Sequence, residues 1–285
     1  MPRTIVITGA SDGIGAAAAR QLHEAGERVV VVGRSSEKTG AMASELGVDG
    51  LVADFAELAQ VRALAATLLA RYPRIDVLAN NAGGIMGERR VTVDGFEQTF
   101  QVNHLAGFLL TNLLLDRLSE SGASVIQTSS EASRSFARFD IDDLQGERRY
   151  SAGGAYGNAK LANLLFTKEL HRRRSRAGVN AVAFHPGVIG SGFAGTSRGV
   201  IRWFYTSRLT RPLLDSHEVG GSRLTWLALG TPGVDWEPGA YYAKNRIART
   251  TAAASDPVLA KRLWDESAAM VGLSGASGPR PDASG

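Results

Sequence analysis

Short apolar runs alternate with longer amphipathic or alanine-rich stretches along most of the chain. Seven runs rich in β-branched and apolar residues predict buried strands, at 3–8, 28–32, 50–54, 75–79, 123–128, 179–184 and 240–243. The stretches between them have helical periodicity, and at 56–71 Leu58, Val61 and Leu64 fall on one stripe. Strands that alternate with helices predict an α/β fold, a doubly wound, seven-stranded parallel sheet flanked by helices.

A glycine-rich turn joins the first predicted strand to the first predicted helix. Residues 8–15 read Thr-Gly-Ala-Ser-Asp-Gly-Ile-Gly, and an alanine-rich helix follows to about Ala25. Glycines let the backbone approach a ligand closely, while a helix N-terminus offers free N–H groups and the positive end of a dipole. The alternative is a purely structural turn. The predicted cofactor contacts here are Gly9, Ser11, Asp12, Gly13, Ile14 and Gly15.

The end of the second strand indicates which dinucleotide is bound. In a dinucleotide-binding fold, an acidic residue there binds a free ribose 2′-hydroxyl, whereas an arginine accommodates a 2′-phosphate. Arg34 follows the strand and the next carboxylate along the chain is Glu37, which favours NADP(H) over NAD(H). Asp12 argues the other way, because a carboxylate in the glycine turn would repel a 2′-phosphate. NAD(H) therefore stays the alternative.

Polar and small residues follow the third and fourth strands. Asp54 and Phe55 stand where an adenine would lie, and Asp54 is also a candidate N-cap for the helix at 56–71. The fourth strand ends in Asn-Asn-Ala-Gly-Gly at 80–84, where Asn side chains can tie strands together and small residues leave room for a flat ligand. The predicted cofactor contacts in this run are Asn81, Ala82 and Gly83.

Two further stretches supply candidate polar groups. Asn103 and His104 lie within a helix predicted for 93–118. A buried amide such as Asn103 needs hydrogen-bond partners, and His104 is expected to be a satisfied interior or helix-end histidine, not a catalyst. Ser129 and Ser130 follow the fifth strand at its carboxyl end, where open α/β sheets bind ligands.

Tyr156 and Lys160 stand at the head of an apolar run, 161–166, that predicts a buried helix. Positions i and i+4 share a helix face, so the phenol and the ammonium point into the same space. A free tyrosine has a pKa of about 10, and a cation close by lowers it by roughly 1–3 pH units. The spacing therefore predicts that Tyr156 is a general acid/base. The alternative is a surface Tyr–Lys pair.

Residues 188–215 have no clear periodicity and combine glycines with aromatic side chains. Phe193 and Trp203 are predicted substrate contacts, because such a loop beyond the strand ends suits a lid over an apolar substrate. The alternative is a membrane-surface patch, since arginines flank the aromatics. The segment 274–285 is rich in Gly, Ser and Pro and is expected to be a disordered tail, which leaves 1–273 as one domain.

Composition narrows the class of protein. The 285 residues contain no cysteine, 44% are hydrophobic and 21% are charged, as is ordinary for a globular protein. No run reaches the roughly 18 apolar residues that span a bilayer, and the first strand begins near Arg3, so we expect a cytoplasmic protein without a signal peptide. The formal net charge of +4 is scattered apart from 172–176 at a helix end, so no nucleic-acid partner is expected.

The polar stretch at 131–155 contains three closely spaced aspartates, Asp140, Asp142 and Asp143. They lack the ordered ligand spacing of a metal-binding loop, so no metal site is predicted. The richness of the whole sequence in Ala, Arg and Gly is compatible with a bacterium of high genomic GC content.

Taken together, these motifs resemble the short-chain dehydrogenase/reductase family over roughly residues 4–245, which implies a Rossmann fold. The resemblance is carried by the glycine turn at 8–15, Asn80 to Gly83, Asn103, Ser130, Tyr156 with Lys160, and Pro186-Gly187. Within the family the sequence is similar to the retinol dehydrogenase-like branch. The runs that look like this branch are 102–105, 143–145, 149–151, 155–156, 160–166, 185–188 and 262–264.

The resemblance implies a role for each candidate. Tyr156 would exchange a proton with the substrate oxygen, Lys160 would lower the pKa of Tyr156 and hold the nicotinamide ribose, and Ser130, rather than Ser129, would polarise the carbonyl. Asn103 would position a water in a proton relay. The implied cofactor contacts after the sixth strand are Pro186, Gly187, Val188 and Ser191. Family members often form dimers or tetramers, so a homo-oligomer is also expected.

The function predicted on these grounds is an NADP(H)-dependent oxidoreductase. It would transfer a hydride between nicotinamide and the carbonyl or alcohol of an apolar small molecule, with a tyrosine as general acid/base. The alternative is a non-catalytic NADP(H)-binding regulatory or scaffold protein on the same fold. A binding protein has no need of Tyr156, Lys160, Ser130 and Asn103 together, which favours the enzyme. Isomerisation or dehydration through transient oxidation is a third reading.

Overall fold

The computed structural model describes residues 1–187 and 215–273. Two of the predicted segments, the substrate lid up to residue 214 and the tail at 274–285, lie outside these residues. So do four single predictions: Val188, Ser191, Phe193 and Trp203.

Eight strands in the described part of the chain form one sheet in the order β3-β2-β1-β4-β5-β6-β7-β8. They are β1 (Thr4–Thr8), β2 (Arg28–Gly33), β3 (Asp49–Val52), β4 (Val77–Asn80), β5 (Ser124–Thr128), β6 (Asn180–His185), β7 (Tyr241–Ala243) and β8 (Arg246–Ile247). Strands β1 to β7 are parallel. The predicted α/β, doubly wound class is therefore confirmed.

The predicted number of strands is one too few, because β8 pairs antiparallel with β7. A two-residue hairpin joins them through Lys244 and Asn245, both in the left-handed region with φ of 52° and 57°. Such turns usually carry glycine or asparagine at both positions. Because the first position is a lysine, the sequence lacks the usual signal of this hairpin. In addition, β8 is only two residues long, and both are exposed.

Helices cover both faces of the sheet. They are α1 (Gly13–Glu24), α2 (Ser36–Leu46), α3 (Leu58–Arg71), α4 (Gln98–Phe100), α5 (Ala106–Leu113), α6 (Leu115–Ser121), α7 (Ala132–Ser135), α8 (Ala152–Arg174), α9 (His217–Leu229) and α10 (Pro257–Met270), with a π-helical segment at Gln101–Leu105. None of these helices is both long and apolar enough to cross a membrane.

Two buried clusters fill the space between the sheet and its helices. One contains apolar residues of α1 and α9, and the other contains those of α3, α5, α8 and α10. The alanines of α1 allow very close packing: a Cβ added to Gly221 of α9 would lie 2.8 Å from the Cβ of Ala17. This contact brings the N-terminus of α9 beside the N-terminus of α1, at the carboxyl edge of the sheet.

The helix predicted for 93–118 begins later than expected. Residues 91 and 97 form an isolated antiparallel bridge around a turn in which Gly95 has φ of +85°. The carboxylate of Glu97 then accepts hydrogen bonds from the amides of Thr99 (2.8 Å) and Phe100 (2.7 Å), which fixes the helix start. An acidic cap after a turn was the local signal for this boundary.

Candidate active site

The carboxyl ends of the central strands open into a cleft of about 1070 Å³. Three of the predicted catalytic side chains line it: Ser130, Tyr156 and Lys160. The predicted cofactor contacts within the described residues also line it: Gly9, Ser11, Asp12, Gly13, Ile14, Gly15, Arg34, Asp54, Phe55, Asn81, Ala82, Gly83, Pro186 and Gly187. Asn103 lies behind this wall.

Two glycines of the glycine turn, Gly9 and Gly15, leave no room for a side chain. Gly9 has φ of +66°, and a Cβ added there would lie 2.8 Å from the Cα of Ala82. A Cβ at Gly15 would lie 2.3 Å from the carbonyl oxygen of Gly9. All three glycines of the turn line the cleft at the N-terminus of a 12-residue helix, α1, and this arrangement fits a dinucleotide pyrophosphate.

Asn81 connects the ends of three neighbouring strands. Its Nδ2 donates hydrogen bonds to the carbonyl oxygens of Thr8 (3.0 Å) and Gly9 (3.3 Å). Its Oδ1 accepts one from the hydroxyl of Thr128 (3.2 Å). The prediction that asparagines here tie strands and loops together is confirmed, and Asn81 holds the glycine turn in place.

Asp12 is paired with a lysine that the sequence interpretation passed over. Its Oδ1 accepts a hydrogen bond from the amide of Gly13 (2.8 Å), and its Oδ2 lies 2.6 Å from the Nζ of Lys38 in α2. The hydrogen bond from Lys38 is the main reason why the pKa of Asp12 lies below its usual range. Lys38 also lines the cleft beside Arg34. The negative charge expected to oppose a 2′-phosphate is thus accompanied by two cations.

Asp54 is not the N-cap of α3. That helix begins at Leu58. The side chain of its N-cap residue, Glu57, makes no capping hydrogen bond, and the amide of Leu58 donates instead to the carboxylate of Asp94 (2.8 Å). Asp54 instead accepts a hydrogen bond from the amide of Ala56 (2.9 Å) and shapes the turn before the helix. A cap from another segment of the chain cannot be found from local spacing.

Lys160 is buried beneath the ring of Tyr156. Its Nζ lies 5.4 Å from the ring centroid and donates to the carbonyl oxygen of Thr128 at the end of β5 (3.1 Å). Only 2% of Lys160 is exposed, and burial lowers its pKa to about 7. The two side chains occupy one face of α8, as their spacing predicts, and the strand end fixes the position of the amino group.

The two serines after β5 have different surroundings. Ser129 is buried, and its hydroxyl donates to the carbonyl oxygen of Lys160 (2.9 Å). Ser130 is partly exposed to the cleft, and its hydroxyl oxygen accepts a hydrogen bond from the amide of Ala132 (3.2 Å). The Ser130 hydroxyl keeps its proton available for another acceptor.

Asn103 lies in the π-helical segment with its amide fully engaged. Its Nδ2 donates to the carbonyl oxygens of Gly84 (2.9 Å) and Thr99 (2.8 Å), while its Oδ1 accepts from the amide of Gly84 (2.9 Å). Its main-chain oxygen accepts from Asn163 of α8 (3.0 Å). Only glycine fits between Asn103 and Lys160, since a Cβ at Gly83 would lie 2.4 Å from one and 3.1 Å from the other.

His104 is an interior histidine with a partner on each ring nitrogen, as predicted. Its Nδ1 lies 3.2 Å from Oδ1 of Asn163, and its Nε2 lies 3.0 Å from the hydroxyl of Ser267 in α10. Burial lowers its pKa to about 4. The neutral ring therefore joins the π-helical segment to two other helices and has no part in the cleft.

Besides Lys38, three ionisable residues of the cleft were not predicted from the sequence: Glu131, His185 and His217. Glu131 and His185 stand at the ends of the neighbouring strands β5 and β6, so their positions after apolar runs were the available signal. His217 begins α9, and a Cβ at Gly13 would lie 3.9 Å from its Nε2. That proximity depends on the packing of α9 against α1, which no local pattern reveals.

Two of the aspartates at 140–143 bind the backbone of their own loop, and the third, Asp142, pairs with Arg262 of α10. Asp140 accepts from the amide of Asp142 (2.9 Å), and Asp143 accepts from the amides of Glu147 (2.7 Å) and Arg148 (3.2 Å). Among the residues of 1–187 and 215–273, no three His, Asp or Glu side chains are grouped to hold a metal ion.

The family profile of short chain dehydrogenases matches residues 3–199. A protein of Streptomyces sp. (strain C5) named "Putative daunorubicin C-13 ketoreductase DnrU" is 45% identical over 277 residues, which cover 95% of this chain and 93% of the relative. Human retinol dehydrogenase 13 is 37% identical over an alignment of 290 residues, and the match covers 95% of this chain and 85% of the relative.

Two solved structures have the same architecture. A protein of Mycobacterium paratuberculosis is 32% identical with a TM-score of 0.74, over 95% of this chain and 93% of its own. A short chain dehydrogenase of Shigella flexneri, solved with NADP, is 25% identical with a TM-score of 0.62, over 79% and 90%. These likenesses support a nicotinamide cofactor and a small-molecule substrate. The chain belongs to the short-chain dehydrogenase/reductase family, in its retinol dehydrogenase-like branch, and is an oxidoreductase acting on CH–OH groups (EC 1.1.1.-).

Proposed function

We propose that the protein is an NADP(H)-dependent reductase of ketones in largely apolar small molecules, with Tyr156 as the general acid. The observation that carries the proposal is the buried Lys160, whose Nζ lies 5.4 Å from the Tyr156 ring centroid at the wall of the cleft. An amino group buried beside a phenol supports proton transfer, because its ammonium form stabilises the phenolate.

The residues divide the chemistry between them. A nicotinamide cofactor bound in the cleft would supply the hydride that the carbonyl carbon accepts. Tyr156 gives its phenolic proton to the carbonyl oxygen, so that a ketone becomes a secondary alcohol. Ser130 donates a hydrogen bond to the same oxygen as negative charge develops on it. Asn103 and Lys160, on either side of Gly83, flank the route by which a proton returns to Tyr156 from solvent.

The preference for NADP(H) is supported by the cations at the end of β2. Arg34 and Lys38 line the cleft, and the carboxylate of Asp12 is already paired with Lys38 at 2.6 Å. Two cations and one paired carboxylate favour a doubly charged phosphate over a free hydroxyl.

The choice of a ketone follows the relative whose name describes a ketoreductase, and apolar side chains in the cleft support a largely apolar substrate. The apolar residues of the wall are Ile85, Met86, Val102 and Phe136. The alternative, a regulatory or scaffold protein, would have no need of a catalytic tyrosine.

The test is consumption of NADPH or NADH with daunorubicin, aryl ketones and aliphatic ketones, and reduction of NADP⁺ with retinol. We expect NADPH to be consumed with at least one ketone class and more slowly with NADH in its place. Tyr156→Phe should abolish turnover while the dissociation constant for NADPH, measured by fluorescence, stays within about twofold. Wild-type rates in this variant, or faster turnover with NADH, would contradict the proposal.

A further inference from the structure

Asn163 is a buried amide that lies next to the catalytic lysine. It stands three residues after Lys160 on α8, so the two side chains share a helix face, and only 2% of Asn163 is exposed. An amide at such a depth needs hydrogen-bond partners, and these partners decide what it does. All three partners of its side chain lie on other elements of the chain.

Two of the partners are backbone carbonyls at the catalytic site. Nδ2 of Asn163 donates to the carbonyl oxygen of Thr128 (3.2 Å) and to that of Asn103 (3.0 Å). The Thr128 oxygen is also the one to which Nζ of Lys160 donates (3.1 Å). Lys160 and Asn163 therefore share an acceptor at the end of β5, and the same amide ties this acceptor to the main chain of Asn103.

The third partner, His104, fixes which way round the amide lies. Because Nδ2 faces two carbonyl oxygens, which are acceptors, Oδ1 is the atom that faces the ring, at 3.2 Å from Nδ1. Nδ1 must then carry the proton, and Nε2 accepts a hydrogen bond from the hydroxyl of Ser267 (3.0 Å). The amide of Asn163 therefore cannot turn over without placing its oxygen against a carbonyl oxygen.

Thr128 connects this amide to the cofactor half of the cleft. The hydroxyl of Thr128 donates to Oδ1 of Asn81 (3.2 Å), and Asn81 holds the glycine turn. The carbonyl of the same Thr128 holds the amino group of Lys160. A rotation of the Thr128 carbonyl would therefore move this amino group relative to the Tyr156 ring. Asn163 opposes that rotation, because it is a second donor to the same oxygen.

We infer that Asn163 is a positioning residue for the reaction, which holds the amino group of Lys160 at Tyr156 through their shared acceptor and holds Asn103 beside them. Asn163 is not part of the cleft wall, so it acts through these neighbours and not on the substrate. A displacement of a catalytic group by about 1 Å can lower a rate roughly hundredfold. This role rests on the proposed ketone reduction and adds a residue to it.

The test separates chemistry from binding in Asn163→Ala, with the ketone that the wild type reduces fastest. We expect kcat to fall by about ten- to hundredfold, while KM and the dissociation constant of NADPH stay within about threefold. The effect of D2O on kcat should grow, because proton transfer from Tyr156 becomes slower. Asn163→Asp keeps the shape but presents an acceptor to both carbonyls, and it should lose at least as much activity, which a packing role would not produce.

Asn112→Ala is the matched control, because Nδ2 of Asn112 on α5 also donates to a backbone carbonyl, that of Phe108 (2.9 Å). It should leave kcat unchanged. An unchanged kcat in Asn163→Ala, or a fall in kcat that is matched by an equal loss of NADPH affinity, would overturn the positioning role and leave ketone reduction standing.

Two NMR measurements need no turnover. In the wild type, the ¹⁵N resonances of His104 should place the ring proton on Nδ1; a proton on Nε2 would reverse the amide and overturn the role, even if the Asn163 variants did not fold. If the wild type reduced no ketone, ketone reduction would fail on its own. Titration of the Lys160 ε-carbon would then decide the role of Asn163. Asn163→Ala frees the Thr128 oxygen for the ammonium and should raise the pKa of Lys160, and an unchanged pKa would refute the role.

Discussion

The amino group of Lys38 lies 2.6 Å from the carboxylate of Asp12, so helix α2 and the glycine turn share an ion pair at the mouth of the cofactor cleft. Both side chains are more than half exposed, at 59% and 70%, so the pair itself adds little to stability. The pair matters because Lys38 neutralises the negative charge of Asp12 that a ligand in the cleft would otherwise meet. Without Lys38 the carboxylate of Asp12 would face the cleft uncompensated.

Removing Lys38 should therefore affect NADPH more than NADH. We expect Lys38→Ala to raise the dissociation constant of NADPH by roughly tenfold, as for the loss of one charge-assisted contact, and that of NADH by much less. Asp12→Asn added to Lys38→Ala should recover part of the affinity. Fluorescence titration measures both. Lys261→Ala is the control, because Lys261 forms a similar 2.6 Å pair with Asp265 on α10. Equal weakening of the two cofactors would contradict the assignment.

Gly15 should tolerate no side chain. The Cβ of Gly15→Ala would lie 2.3 Å from the carbonyl oxygen of Gly9, and this backbone contact cannot be relieved by rotation of a side chain. We expect the glycine turn to shift and dinucleotide affinity to fall by at least about tenfold in calorimetric titration. Gly40→Ala in α2 meets no atom within 4 Å and should stabilise the fold by roughly 0.5–1 kcal/mol. Unchanged dinucleotide affinity in Gly15→Ala would show that the glycine turn is not the binding site.

Lys160 should make the stability of the cofactor-free protein depend on pH. Its pKa is about 7 in the folded chain, whereas an unfolded lysine titrates near 10.4. Between these values the unfolded chain binds the extra proton, so the free energy of unfolding rises with pH, by up to about 1.4 kcal/mol per pH unit. Lys160→Met removes this contribution, and its stability advantage over the wild type should shrink by roughly 2 kcal/mol from pH 7 to pH 9.

Urea unfolding at several pH values measures that difference. Lys168, whose pKa burial also lowers, is present in both proteins and cancels in the comparison. Parallel stability curves for the wild type and Lys160→Met would mean that the amino group at the catalytic position titrates as it does in an unfolded chain.

His104 should govern the response to acid. Burial lowers its pKa to about 4, while an unfolded histidine titrates near 6.5. As the pH falls from 6.5 to 4 the unfolded chain takes up a proton that the folded chain refuses, which removes up to roughly 3 kcal/mol of stability. In a plot of unfolding free energy against pH, His104→Gln should flatten the part below pH 6.5, the acid limb. His23→Gln, at an exposed position, should not. Identical acid limbs for wild type and His104→Gln would count against the buried neutral ring.

The sequence predicts best those features that depend on one local run. Seven strands, the helix that bears Tyr156 and Lys160, and the tie made by Asn81 all follow from neighbours along the chain, and the structure contains each of them. The satisfied His104 was predicted for the same reason, since an apolar helix surrounds it. Local pattern and local structure agree at these positions.

The features that were missed depend on which strands and helices become neighbours. Lys38 meets Asp12 across 26 residues, and α3 is capped by Asp94 across 36. Glu131 and His185 line the same cleft only because β5 and β6 lie side by side in the sheet. The spacing of residues within one segment carries no information about contacts between segments that are distant in the sequence.

The hydrogen bond between His104 and Ser267 bears on how the chain is made. Ser267 lies in the last described helix, yet it completes the partners of a residue adjacent to Asn103. During synthesis, the segment around Asn103 acquires its full set of contacts only after residue 267 has left the ribosome, although Tyr156 and Lys160 emerge much earlier. A nascent chain therefore carries its catalytic side chains before it has the last contact that supports them.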